Sequence, residues 1–495
     1  MKGAILVCGT HSDAGKSVVA AGICRWLARA GVCVAPFKGQ NMALNSVVTA
    51  AGAEIGRSQA VQAAAAGVEP EAAMNPVLIK PSGAHHSQVV VMGRPYADAD
   101  ARSYQSLKSE LRPVVAHALQ DLRERYDVVV CEGAGSPAEI NLRDDDITNM
   151  WLAREARLPV IVVADIDRGG VFASLFGTLA LLSAEDQSHV AGFVINRFRG
   201  DETILAPGLD MLERRTGRPT LGVLPYVEDL WMDAEDSLAI PEAPARGAAL
   251  DVAVVRLRWI SNFTDVDALI AEPGVRVRFT RSAVDVERAD LVIVPGTKAT
   301  VEDLERLRTS GLDRALRQRA AHGRPILGIC GGYQLLGEFI EDAVESRRGR
   351  VAGLDLLPVS THFEPDKVLR RRTGRSSWLG TGASGYEIRH GRVHRRGGAP
   401  LIDPDEGCVA GAVIGTSWHG ALEHDAFRRA LLRWVSSGFV PGTTPFAAAR
   451  EARLDVLGDL VADHLDTAAL ADLIERGAPA DLPTIDPEVP ACSAS

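Results

Sequence analysis

The residues best equipped for chemistry fall in two strings about 300 positions apart. Gly9–Ser17 reads Gly-Thr-His-Ser-Asp-Ala-Gly-Lys-Ser, and Gly328–Gly337 reads Gly-Ile-Cys-Gly-Gly-Tyr-Gln-Leu-Leu-Gly. In the first, backbone N–H groups around Gly9, Thr10, Asp13 and Gly15 can cradle phosphates, Lys16 can reach the β- and γ-phosphates, and Ser17 can ligate Mg²⁺. The usual loop places four residues between its glycines, whereas Gly9 and Gly15 enclose five, with Thr10 where glycine would stand. In the second string, a short apolar strand, Pro325–Ile329, meets a glycine pair that turns the chain sharply, and a helix starts near Tyr333. A cysteine held at such a turn has a lowered thiol pKa and an exposed sulfur, so Cys330 is a candidate nucleophile.

A thiolate nucleophile needs a base. His419, in Thr-Ser-Trp-His-Gly at the end of a late strand, is the best candidate; His362, His390, His394 and His424 lack that pairing of strand end and glycine. Around the phosphate loop, Glu132 ends the strand Asp127–Cys131, where a carboxylate can hold Mg²⁺. Lys38 follows the strand Val32–Phe37 and can neutralise a transferring phosphoryl group. Glu54 and Gln59 are candidates for completing the metal or substrate site. Asp165 and Asp167 follow another strand, at the edge where ligands of parallel sheets collect, with Arg168 able to meet an anionic substrate. The run Lys367–Arg375, with five cationic residues, reads as a solvated loop.

The elements that must position these groups alternate. Ala4–Cys8, Val32–Phe37, Asp127–Cys131, Pro159–Ala164, Gly192–Ile195 and Leu221–Leu224 read as strands. Ser17–Ala30, Ile55–Ala66, Leu107–Arg125 and Leu205–Thr216 read as helices. Continuously apolar strands separated by helices describe a doubly wound parallel α/β sheet covered on both faces. A linker is expected at residues 241–250, rich in Pro, Ala and Gly. A second α/β unit follows over 251–440, with strands Val275–Phe279, Leu291–Val294 and Ile326–Ile329, helices Thr300–Ala320 and Tyr333–Phe339, and a β-rich stretch through Trp418. Residues 441–495 read as two amphipathic helices and a frayed end from Ala480.

With 495 residues and 46% hydrophobic content, two or three cores are affordable. A formal charge of −10 argues against a nucleic-acid footprint. Seven scattered cysteines form neither a zinc pattern nor a disulfide framework, and no apolar run approaches the roughly 18–20 residues of a membrane span, so a cytoplasmic protein is expected.

The lengthened loop, Lys38, and Glu132 in Cys-Glu-Gly-Ala-Gly resemble the dethiobiotin synthetase group of ATP-dependent carboxylate-activating enzymes. The longer strings Phe37–Ser46, Asn75–Pro81 and Asp146–Met150 resemble the cobyric acid synthase family in particular, over about residues 3 to 440. Cys330 with His419 resembles the class I glutamine amidotransferases. That resemblance places oxyanion-hole N–H groups at Gly296 and Gly331, whereas the resemblance to the dethiobiotin synthetase group places a base-contacting asparagine at Asn196. Together the resemblances imply ATP and Mg²⁺ as cofactors, and glutamine and a corrinoid polycarboxylate as substrates. Four peripheral carboxylates of adenosylcobyrinic acid a,c-diamide would be amidated through acyl phosphates; a related ligase, cobyrinic acid a,c-diamide synthase, is the near alternative. The acid expected two residues after the histidine is replaced by Ala421. Glu423 and Glu387 are the nearby acids, and the orienting group stays unassigned. A nucleotide-switched partitioning ATPase would use a second lysine early in the loop, which Gly9–Gly15 lacks, and a redox sensor would need a resolving partner for Cys330.

Overall fold

The computed structural model describes residues 1–82, 86–228 and 249–485. Six strands form the first sheet, all parallel, in the order Thr220–Pro225, Val190–Phe198, Val160–Asp165, Gly3–Gly9, Val128–Glu132, Val34–Phe37. Its central strands are buried on both faces, which explains their unbroken apolar character. Strand order reverses around Gly3–Gly9, so the phosphate loop leaves the sheet at its switch point, where a crevice opens between helices.

A second sheet runs Val275–Thr280, Leu250–Val255, Leu291–Val294, Ile326–Ile329, Val413–Thr416, Cys408–Ala410, with only the last strand antiparallel. The expected doubly wound architecture is therefore present twice. The single expected helix Thr300–Ala320 is two, Thr300–Ser310 and Leu312–Ala321, because Gly311 adopts φ 78° between them. Behind Cys330 the helix is short, Gly331–Leu335, and Phe339–Asp342 is a strand instead.

Residues 367–375 correct the sequence reading. They lie in the strand Val359–Ser376, paired with Thr381–Arg395 in a long antiparallel hairpin, not in a solvated loop. Leu369 and Ile388 of this hairpin pack on Val48 from the N-terminal half, so the hairpin docks one half of the protein on the other. It meets a small antiparallel pair, Ser46–Val48 with Glu54–Gly56, that sequence patterning does not reveal. Those strands are too short, and too polar at Ser46 and Glu54, to show a period.

Residues 241–248 of the expected linker lie outside the described residues. Beyond Pro441, helices Phe446–His464 and Thr467–Arg476 return to the first sheet. Leu454, Leu457, Val461, Leu470 and Ile474 join one of its two hydrophobic layers. Each such burial is worth roughly 1.5–3 kcal/mol, so these helices are a structural cover for that sheet. Arg25 adds ion pairs of 2.9 Å to both Glu451 and Asp455. Of the end expected to fray, residues 486–495 lie outside the described residues, but Ile485 is held by reciprocal backbone bonds with the Gln187 amide, at 2.7 and 3.0 Å.

Candidate active sites

At the first site, the strand Gly3–Gly9 ends in the loop and the helix Lys16–Arg29 begins immediately after it. Gly15 has φ 103°, and a Cβ there would stand 1.9 Å from Asn196 Nδ2. Only glycine fits. Asn196 donates that amide to Ala14 O at 3.1 Å, so it braces the loop from beneath. The Lys16 ammonium reaches His11 O at 2.9 Å and Gly135 O at 3.1 Å, spanning the mouth of the loop.

Glu132 gathers the other groups. Ser17 Oγ donates to its Oε1 at 2.7 Å, Lys38 Nζ lies 3.0 Å from the same oxygen, and the Gln62 amide donates to Oε2. Burial pushes the Glu132 carboxyl up, but Lys38, Ser17 and Gln62 outweigh it and hold the pKa below the usual carboxylate value. The strings that resembled a family are fasteners for this cluster. Asn149 bonds both Ala134 N and Ala134 O, at 3.1 and 2.8 Å, fixing the turn whose Gly135 carbonyl meets Lys16. Asn75 holds the Lys38 carbonyl at 3.2 Å.

The tentative metal or substrate acids are engaged elsewhere. Glu54 is fully buried at the junction of the two halves, where Ser46 Oγ (2.8 Å), Lys80 Nζ (2.6 Å) and Lys367 Nζ (2.6 Å) occupy its oxygens. Burial favours its neutral form, but the two ammonium groups win and hold its carboxyl far below the usual range. Lys367 is in turn pulled down to about 8, burial outweighing Glu54. Asp165 is bonded by Arg197 at 2.7 Å and by the N–H of Asp167, while Asp167 pairs with Arg199. Arg168 stands 3.6 Å from Asp13 and 3.7 Å from Asp165, so this turn flanks the phosphate loop through arginines. Among the described residues, no group of three or more His, Cys, Asp or Glu is placed to hold a metal ion.

At the second site Cys330 itself makes the turn, with φ 49° and ψ −106°. Such a conformation costs of order 1–3 kcal/mol for a residue with a Cβ and persists only when its surroundings enforce it. The glycine pair has a different job from the one expected: a Cβ on Gly332 would lie 1.8 Å from Val294 O. The glycines let the short helix press against the neighbouring strand end, leaving the strained angle to the cysteine. Gly331 and Thr297 line the pocket beside Cys330, and Gly296 approaches His419 so closely that a Cβ would sit 3.0 Å from Cε1.

His419 is buried against Cys330, and its Nδ1 lies 2.7 Å from Asp265 Oδ2. The other Asp265 oxygen accepts from Gly420 N at 2.7 Å. Asp265 is thus the orienting acid that sequence spacing left unassigned. Glu423 and Glu387 are spent on arginines, Glu423 on Arg57 and Arg450, Glu387 on Arg372 and Arg389. Burial pulls the imidazole down, but the Asp265 carboxylate and Cys330 outweigh it and hold His419 up at about 10. A signal existed in the sequence: Asp265 sits in the loop after the strand Leu250–Val255, at the same carboxyl edge as Cys330. What local spacing lacked was the 154-residue separation that folding closes.

The pocket at Cys330 is lined on one side by Asn262, Thr297 and His419, and on another by Lys80, a residue of the N-terminal half. Fold and sites thus define a class: a nucleotide-binding α/β domain joined to a glutamine amidotransferase domain. Comparisons with known proteins agree, since residues 5–239 match the CobQ/CobB/MinD/ParA nucleotide binding domain and residues 251–427 the CobB/CobQ-like glutamine amidotransferase domain. A cobyric acid synthase from Frankia casuarinae is 59% identical, over 98% of this chain and 99% of its own length. Those from Streptomyces avermitilis and Streptomyces coelicolor are each 58% identical over 99% of this chain and 100% of theirs. The chain belongs to the cobyric acid synthase family, amidating ligases of cobalamin biosynthesis. Among the described residues, no helix is long and apolar enough to cross a membrane.

Proposed function

We propose that the chain amidates peripheral carboxylates of adenosylcobyrinic acid a,c-diamide to give cobyric acid, by two half-reactions divided between residues 1–240 and 251–440. At the first site a substrate carboxylate oxygen attacks the γ-phosphorus of ATP, ADP leaves, and an acyl phosphate forms. Ammonia then attacks the acyl carbon, phosphate leaves, and the amide remains. Lys16 and Lys38 neutralise charge on the transferring group, the loop N–H groups orient it, and Asn196 keeps the loop in shape. Ser17 Oγ and the Glu132 carboxylate, side by side, are hard oxygen donors of the kind Mg²⁺ takes, and these two residues would hold it. When bound, the ion would supply further neutralisation of phosphate charge.

At the second site the Cys330 sulfur attacks the side-chain amide carbon of glutamine, with N–H groups at Gly296 and Gly331 as the oxyanion donors. His419, oriented by Asp265, passes a proton to the departing nitrogen, ammonia leaves, and water cleaves the thioester to glutamate. The observation that carries this reading is the Cys330–His419–Asp265 alignment in a pocket walled partly by Lys80. Ammonia released there meets the N-terminal half directly, without first crossing bulk water where it would be protonated. A cytoplasmic setting suits reduced Cys330.

The test is a pair of nitrogen donors. Cys330→Ala should stop amidation driven by glutamine while amidation driven by ammonium salts continues; equal loss with both donors would refute the division of labour. Mass spectrometry of the corrinoid after incubation with MgATP and glutamine should show four successive acid-to-amide changes, and a product stopping at two would point to the a,c-diamide synthase reaction.

A further inference from the structure

The turn that carries Asp265 is gripped from the other half of the molecule. Ser46 N donates to Asn262 Oδ1 at 2.9 Å, and Phe263 N donates to Asn45 Oδ1 at 3.2 Å, a reciprocal pair between residues more than 200 positions apart. Asn262 is left-handed, with φ 49°, and caps the single turn Phe263–Val266 in which Asp265 lies. Asp265 N bonds back to Asn262 O at 2.9 Å. The Tyr386 hydroxyl donates to Ser46 O at 3.2 Å, while Tyr386 pairs with the His419 backbone and sets its ring 5.6 Å from the imidazole. Both supports of His419, the Asp265 turn and Tyr386, therefore touch Ser46.

At its other end the same segment begins with Lys38, beside Glu132. Lys38 N bonds to Met74 O, Asn75 holds Lys38 O, and the Asn41 amide donates to Gln59 at 2.8 Å. Nine residues of braced chain, Lys38–Ser46, thus lead from the phosphate site to the glutaminase turn.

We propose that Asn45 and Ser46 are positioning residues of the glutaminase: by clamping the 262–265 turn they hold Asp265 on His419, so the seating of the Lys38–Ser46 segment sets how fast ammonia is made. This rests on Cys330 and His419 being the glutaminase pair. The groups facing the imidazole are Asp265, Cys330 and the Tyr386 ring, with Gly296 against its edge. Loosening the clamp withdraws Asp265 and leaves the others.

Asn45 lies outside the lining of the Cys330 pocket, so its replacement leaves the pocket wall intact. In the full chain, Asn45→Ala should lower the ratio of glutamine-driven to ammonia-driven amidation about tenfold or more. Ammonia-driven amidation should stay within about twofold of the parent, which also reports that the variant is folded. Loosening His419 from Asp265, which holds its pKa up, should also shift the pH profile of glutamine-driven amidation. Asn45→Asp, which keeps an oxygen for Phe263 N–H, should recover most of both effects. Arg371→Ala removes a different bond across the halves, 2.9 Å to Val48 O, and should leave ratio and profile unchanged. An unchanged ratio and profile in Asn45→Ala, equal loss with both donors, or an equal effect of Arg371→Ala would each overturn the clamp. Cys330→Ala separates this failure from that of the underlying reading: persistence of glutamine-driven turnover there removes the glutaminase assignment itself.

Discussion

At the nucleotide site, every side chain on Glu132 comes from the first 132 residues, and the loop with its helix and Lys38 hang from the two parallel strands that flank the Glu132 strand. Around Cys330 the Cys330–His419 pair instead spans two strand ends of the second sheet, and the acid behind the histidine sits after a third, on a turn held by the N-terminal half. The first site can be assembled by one sheet alone. Under the clamp proposed above, the second is complete only when the halves are docked, which would make nitrogen supply subordinate to the part of the protein that consumes it. Burial reinforces the contrast, for the junction is closed by paired charges at Glu54 and Glu423 whose separation would strand ions in an apolar interface.

The comparison breaks most sharply at Cys330. Cys330→Ala should cost glutamine-driven amidation on the order of ten-thousandfold or more, as loss of a covalent nucleophile does, with ammonia-driven turnover as the internal control. Lys16→Ala should lower amidation with both donors about a thousandfold, measured as product formation at saturating ATP. Asp265→Asn should reduce only the glutamine-driven rate, about a hundredfold, because the histidine loses its orienting charge. The same variant sharpens the pH argument. His419 is held at about 10 in the folded protein against an ordinary value of 6.5, so the stabilisation it contributes is complete below about pH 6.5 and disappears as pH rises through 10. Denaturant unfolding between those limits should show a loss in the parent that Asp265→Asn lacks.

The smallest effect belongs to the junction. Glu423 is half-buried beside Arg57 and Arg450, which outweigh its desolvation and hold its carboxyl at about 2. Its folded pKa is depressed, so its stabilisation is present above the ordinary value of about 4.5 and is lost as pH falls through 2, up to roughly 3 kcal/mol in all. Glu423→Gln should therefore lower stability at neutral pH and flatten the acid limb of the unfolding profile. An acid limb as steep as the parent's would mean that the ion cluster contributes nothing to docking.

Much of both sites was legible because their cores are contiguous in sequence. A strand, a glycine-bearing loop and a helix placed Lys16 and Ser17 without any knowledge of the fold, and the apolar run before Cys330 did the same for the elbow. Polar strings were harder. Asn75 and Asn149 stood in recognisable strings, yet their task, holding Lys38 and Ala134 by the backbone, depends on which loops lie side by side. Glu54 reads as a tentative metal or substrate ligand because an acid near a phosphate loop looks the same whether its partners are ions or, as in the fold, lysines. The basic run suffered the opposite error, since Lys367 could not be seen to point at Glu54 across 313 positions.

The sequence by itself determined two parallel α/β sheets, the position and strand edge of each reactive string, and the pairing of Cys330 with His419. These follow from hydrophobic period and glycine placement, which act over a few residues. Only the tertiary structure decided that Asp265 orients the histidine, that Glu54 and Lys367 close the junction, and that the final helices cover the first sheet. Each depends on long-range packing, in which desolvation makes a buried charge costly unless folding brings its partner to it, and local sequence carries no trace of which distant residue that partner will be.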